Sequence, residues 1–153
     1  MVITELNNPS ELDSNPKLKE AYLQFEKLLV QLRKRDLPNP IVSSINNDIE
    51  ELNTAYSGDK LRKMVIKKQA KIIELLEKEL KLVTINHYRN YWMALGLAVF
   101  GLPLGVVFGA SFGNMAFIGI GLPIGLVIGM AVGTGMDKKA LEEGRQLDLE
   151  INQ

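Results

Sequence analysis

The stretch "GLPLGVVFGASFG", residues 101–113, places glycine at every fourth position: Gly101, Gly105, Gly109 and Gly113. A second stretch, "GLPIGLVIGMAVG", residues 121–133, repeats the arrangement with Gly121, Gly125, Gly129 and Gly133. In a water-exposed helix each glycine costs roughly 1 kcal/mol relative to alanine and each interior proline roughly 3 kcal/mol. A pattern this unfavourable in water points to a different solvent. The flanking sequence agrees: from Asn90 to Met136 no residue is charged, and all 18 basic and 18 acidic side chains lie outside that run.

A membrane helix needs about 20 apolar residues to cross about 30 Å of hydrocarbon. Residues 91–112 and 115–136 each reach that length, and "SFGN" (111–114) between them reads as a tight turn, with Gly113 and Asn114 as turn formers. In lipid the backbone has no water to bond, so each span is expected to be helical. The region 91–136 is therefore predicted to be a hairpin of two transmembrane helices.

Four-residue spacing advances about 40° around a helix per step, so each set of glycines winds into a groove without side chains. Such a groove admits another helix at close range. The two stretches also match at Leu102/Leu122, Pro103/Pro123 and Val107/Val127, as an internal duplication would leave them. Pro103 and Pro123 each withdraw a backbone donor, so a kink is predicted at both.

On these residues the hairpin resembles the glycine-zipper membrane proteins, a loose group of double-spanning hairpins. The resemblance covers 91–136 only. It implies that the eight glycines mediate helix packing and homo-oligomerisation. Similar hairpins occur in cell-envelope lipoproteins, membrane-shaping oligomers and pore-formers. The chain has no cysteine, so lipidation of the lipoprotein kind does not carry over.

Basic residues set orientation through the positive-inside rule. Lys78, Lys81 and Arg89 precede the first span, Lys138, Lys139 and Arg145 follow the second, and the turn has none. Both termini are thus expected in the cytoplasm, with the protein integral to a membrane, the inner membrane in a bacterium. Tyr88, Arg89, Tyr91, Trp92, Lys138 and Lys139 are the candidate residues of the membrane interface. The N-terminal "MVITELNNPSELDSN" lacks a basic segment followed by an apolar one, so no cleaved signal is expected.

Upstream, residues 1–15 read as a flexible lead-in and residues 16–90 as a module of three amphipathic helices. Leu18, Ala21, Tyr22, Phe25, Leu28, Leu29 and Leu32 mark the buried face of the first, which Pro38 stops. Ile41, Ile45, Ile49, Leu52 and Tyr56 mark the second, ended by Gly58. Leu61, Val65, Ile72, Leu76 and Val83 mark the third. Each can bury its face only against the others. Residues 137–153 read as a charged tail, a short helical continuation followed by disorder. The fold class is all-α: a cytoplasmic three-helix module, then a two-helix transmembrane hairpin.

Chemistry is sparse. His87 is the single histidine, which makes neither a metal site nor a triad. "GTGMDKK" (133–139) lacks the spacing of a phosphate loop. Glu50–Glu51 and Glu142–Glu143 are sequence neighbours that point apart on a helix. No catalytic, cofactor or metal site is expected. Lys60, Lys63, Lys67 and Lys71 form a basic stripe that reads first as a solvated helix face, with anionic headgroups as the other reading. No nucleic-acid module is present.

The expected function is non-enzymatic: a self-associating membrane scaffold or adaptor, in contact with lipid, whose soluble helices bind a protein partner. The alternative is a small oligomeric pore gated by those helices. Against the pore, the spans offer only Ser111, Asn114 and Thr134 as polar lining, all near the ends.

Overall fold

The computed structural model describes residues 2–9, 12–54 and 59–151. Among them the chain is all-helical, and β-pairing is limited to one parallel bridge between Val83 and Gln146. It divides into two compact units, one of residues 1–82 with 147–153 and the other of residues 83–146.

The first unit contains α1 (Pro16–Arg33), α2 (Asn39–Asn53) and α3 (Asp59–Leu80). Asn15 caps α1 by accepting the Leu18 N–H at 3.2 Å, with Pro16 in the first turn where its missing donor costs nothing. The seven predicted face residues of α1, Leu18 to Leu32, are all buried, and so are Ile41, Ile45, Ile49 and Leu52 of α2 and Leu61, Val65, Ile72 and Leu76 of α3. Tyr56 and Gly58 lie outside the described residues.

Between α2 and α3 sits a buried ion cluster. Asp48, only 2 % exposed, accepts from Lys68 Nζ at 2.7 Å and Lys71 Nζ at 2.9 Å, and Lys68 also pairs with Glu51. Burial alone would push the Asp48 carboxyl up, but the hydrogen bonds and charges of Lys68 and Lys71 outweigh it and hold it below its ordinary range. Burial likewise pulls Lys68 down, and its bonds to Asp48 and Glu51 reverse this and raise it.

Three boundaries differ from the sequence expectation. The lead-in is not free: Ile3 is buried, and two asparagines on α2 clamp the extended backbone beside it. Asn46 accepts the Thr4 N–H at 2.9 Å and donates to the Val2 carbonyl at 3.0 Å; Asn53 does the same for Asn7 and Glu5 at 2.8 and 3.1 Å. The backbone donors and acceptors of an extended segment are thus satisfied by side chains.

Nor does the helical module reach residue 90. α3 stops at Leu80 because Lys81 turns left-handed (φ 56°), and the Leu82 N–H folds back on the Leu76 carbonyl at 3.2 Å. Val83 consequently leaves the α3 stripe, and α3 is not continuous with the first membrane-type helix. The tail is likewise ordered rather than disordered. Its helix ends at Glu142, Gly144 (φ 68°) reverses the chain, and Leu147 and Leu149 enter the apolar core of the first unit beside the α1–α3 residues.

The second unit is the hairpin. α4 (His87–Gly96), a π-helical turn (Leu97–Gly101) and α5 (Leu102–Ser111) form one continuous helix of 25 residues. A 3-10 turn (Met115–Phe117) leads into α6 (Ile118–Glu142). Both rods are long and apolar enough to cross a membrane, and both start or end a few residues beyond the predicted 91–112 and 115–136.

Candidate functional site

The hairpin is inverted relative to a soluble helix pair. From Gly96 to Gly133 its buried residues are all glycines, while Val99, Phe100, Leu102, Val106, Val107, Ile120, Val127 and Val132 face outward and exposed. Apolar side chains outward and bare backbone inward is an arrangement that hydrocarbon favours and water opposes.

Seven of the eight predicted packing glycines meet in the seam between the rods. The helices run antiparallel, so Gly101 lies against Gly121 and Gly125, and Gly105 against Gly121 and Ile118. A methyl group on Gly125 would stand 2.5 Å from the Gly101 nitrogen, and one on Gly133 2.5 Å from the Arg89 Cα. Those are backbone atoms, which cannot move aside. Gly129 is similarly closed off by the Trp92 carbonyl. Gly109 is the loosest, facing the Met115 sulfur at 3.3 Å and Ile118 Cγ1 at 3.4 Å.

Gly113 is the exception and a correction. It sits in the turn at φ 63° with open space around it, so its role is conformational and not in packing. Asn114, by contrast, stays extended (φ −141°) and caps the 3-10 turn Met115–Phe117 by accepting the Ala116 N–H at 2.9 Å. The turn is lined by aromatic rings, Phe108 on Phe112 and Phe112 on Phe117, with centroids 6.5 and 5.0 Å apart.

The seam takes its fourth glycine from the other end of the first rod. Gly96 is buried against the backbone of Gly125 and Gly129. It stands five residues before Gly101 and so breaks the four-residue rule by which the set was found. The π turn resolves the mismatch: the Leu102 N–H bonds to the Leu97 carbonyl, five residues back, and the wider turn brings Gly96 and Gly101 onto one face. Pro103 follows immediately. A π turn thus lies just before Pro103, whereas Pro123 is carried inside an α6 that is helical throughout.

Sequence reading also missed the base of the hairpin. Asp137, 7 % exposed, projects from α6 to the start of α4 and accepts the N–H groups of Tyr88 at 3.0 Å and Arg89 at 2.9 Å. Two orphan donors at the start of α4 are satisfied by a carboxylate from the opposite rod, where the helix dipole also favours it. Asp137 is the first charge after the apolar run, and that position was its only signal.

The remaining candidate interface residues gather at this base. Tyr91 is 60 % exposed, with its ring edge-on to Trp92 at 6.4 Å. Lys138 and Lys139 are well exposed and approach Glu142 and Glu143, one turn on, at 3.9 Å each. Arg145 pairs with Glu143. Comparison with protein-family models, with curated proteins and with solved structures finds no match for this chain.

Proposed function

We propose that this chain is a non-enzymatic integral membrane protein in which a glycine-zipper hairpin anchors a helical interaction module at the cytoplasmic face. The observation that carries this reading is the inversion of the hairpin: glycine inside, an uncharged surface of valine, isoleucine, leucine and phenylalanine outside. The basic residues Arg89, Lys138 and Lys139 at one end, and none at the turn, support an orientation with both termini in the cytoplasm.

The module offers a surface for a protein partner. Leu23 and Val30 on α1 are 51 % and 41 % exposed, and with Glu26, Lys27, Gln31 and Asp148 they line an open groove. Self-association, the other half of the scaffold reading, has to use the outer faces of the rods, because the zipper glycines other than Gly113 are already covered within the hairpin. On α6, Gly119 and Gly135 remain uncovered there.

The deciding experiment labels single cysteines introduced into this cysteine-free chain in native membranes with an impermeant maleimide. Lys138→Cys should react only from the cytoplasmic side and Asn114→Cys only from the opposite side. Extraction of the chain by alkaline carbonate, or reaction of both positions from one side, would refute the spanning hairpin.

A further inference from the structure

The first thirteen residues of α3, 59–71, are strongly basic. Residues 59–71 carry Lys60, Arg62, Lys63, Lys67, Lys68 and Lys71 against the single acid Asp59, while the last two turns carry Glu74, Glu77 and Glu79 with Lys78. Cations are disfavoured near a helix N-terminus and anions near its C-terminus. The dipole reaches only the terminal turns, where Asp59 stands beside Lys60 and Arg62 and Lys78 beside Glu77 and Glu79, so it does not account for the lysines further along the helix.

The internal ion pairs do not account for it either. Lys68 and Lys71 are held by Asp48, and Arg62 lies 4.0 Å from Asp59. Lys60, Lys63 and Lys67 are exposed and have no ion-pair partner among the described residues. At the flank of this stripe, about 60° round the helix from Lys63, Ile66 is 47 % exposed, and Ala70 is exposed one turn on. The result is a face of three unpaired ammonium groups with an apolar side chain at one edge.

We infer that this face of α3 docks onto the anionic lipid headgroups of the membrane that holds the hairpin, with Lys60, Lys63 and Lys67 at the phosphates and Ile66 in the headgroup layer. The inference rests on the membrane reading above, which supplies the partner: a chain anchored by its hairpin meets a lipid surface at high effective concentration. An anionic leaflet attracts juxtamembrane lysines over about one Debye length, roughly 8 Å at physiological salt. Charge complementarity and the apolar edge at Ile66 together favour an interface with both a charged and an apolar layer, which a headgroup region provides.

The test uses the full chain reconstituted in vesicles of phosphatidylcholine alone and of equal parts phosphatidylcholine and phosphatidylglycerol. Ile66→Cys, labelled with an environment-sensitive dye, should shift to the blue only where phosphatidylglycerol is present. The shift should vanish at about 1 M salt, where the screening length falls to about 3 Å, and on combining Lys60→Gln, Lys63→Gln and Lys67→Gln. These lysines are exposed, so the triple variant keeps its fold. A Val106→Cys label reports the hairpin independently and should be blue-shifted in both vesicles. Identical spectra at position 66 in the two lipids, with the label at 106 embedded, would overturn docking and leave the anchor standing. A shift at 66 that needs no phosphatidylglycerol and grows with the protein-to-lipid ratio assigns the face to a second copy and also overturns it. A label at 106 exposed to water in both vesicles overturns the membrane reading and docking with it.

Discussion

Asp137 and Arg89 are 48 residues apart in the chain, yet the Arg89 N–H donates to the Asp137 carboxylate at 2.9 Å. With the neighbouring bond from Tyr88, this joins the open end of the hairpin, where Gly133 already presses on the Arg89 backbone. A side-chain cap of this kind contributes about 0.5–2 kcal/mol. Asp137→Ala should therefore lower the thermal stability of the hairpin by about 1–2 kcal/mol, followed by helical circular dichroism in detergent micelles. Lys138→Ala, which removes only an exposed pair, should cost less than about 0.5 kcal/mol. Equal effects of the two would deny the cap its role.

Glycines of the same rod should respond in opposite senses. Gly129→Ala drives a methyl into the Trp92 backbone and must separate the helices, so a loss of at least about 2 kcal/mol is expected, in the range of overpacked cores. Gly119→Ala meets nothing within 4 Å and replaces a poor helix former, so it should be neutral or stabilising by up to about 1 kcal/mol. Gly109→Ala, against movable side chains, should fall between them. The checking measurement is the unfolding midpoint of each variant in the same detergent.

What was legible in the sequence follows from which interactions are periodic. Spacings of three and four predicted the buried faces of α1, α2 and α3, because a helix repeats its inward side at that period. The seam from Gly101 to Gly109 and from Gly121 to Gly133 was readable for the same reason. Gly96 was not, since its five-residue spacing makes sense only with a π turn. Nor were Asp137, Asn46 and Asn53, whose partners are backbone groups distant in sequence and carry no pattern of their own. Leu147 and Leu149 were misread although they alternate with Asp148 and Glu150 ahead of Ile151, because so short an alternation at the end of a charged tail names no partner surface.

The π turn makes a prediction by subtraction. Deleting Val99 leaves four residues from Gly96 to Gly101, the spacing an α-helix needs to keep both on one face. The seam should survive, with stability within about 1 kcal/mol of the parent, since α-helical bonds replace the π turn. Deleting Val107 instead rotates Gly109 out of the seam and should cost clearly more. Cysteine pairs placed across the seam report register directly through their cross-linking yields. Disruption by the Val99 deletion as severe as by the Val107 deletion would mean that the π turn does not set the register of Gly96.

Leu147 tests the ordered tail. Its side chain is fully buried in the core of the first unit, so Leu147→Ala should destabilise that unit by about 2–4 kcal/mol. Leu141→Ala is the control, at 61 % exposure, with an expected change under about 0.5 kcal/mol. Limited proteolysis should find the C-terminal residues protected in the parent and cut in Leu147→Ala. A disordered tail predicts early cleavage in both.

The Asp48 cluster gives the module a pH dependence of definite sign. Asp48 is depressed in the folded chain, so its contribution is complete above its ordinary 3.8 and is lost as pH falls through the lower folded value. Lys68 is raised, so its contribution is complete below its ordinary 10.5 and is lost as pH rises through the higher folded value. These two groups therefore leave stability flat across the range between, with decline at both ends. At neutral pH, Asp48→Ala takes from Lys68, which is 13 % exposed, its buried partner and leaves it Glu51, and should cost about 1.5–3 kcal/mol. Lys71→Ala should cost less, because its side chain is 57 % exposed and solvent already screens it. Urea unfolding of the full chain, repeated from neutral pH to below 3.8, should show a shallower acid decline in Asp48→Asn than in the parent. An unchanged acid limb would mean that Asp48 ionisation does not stabilise the module.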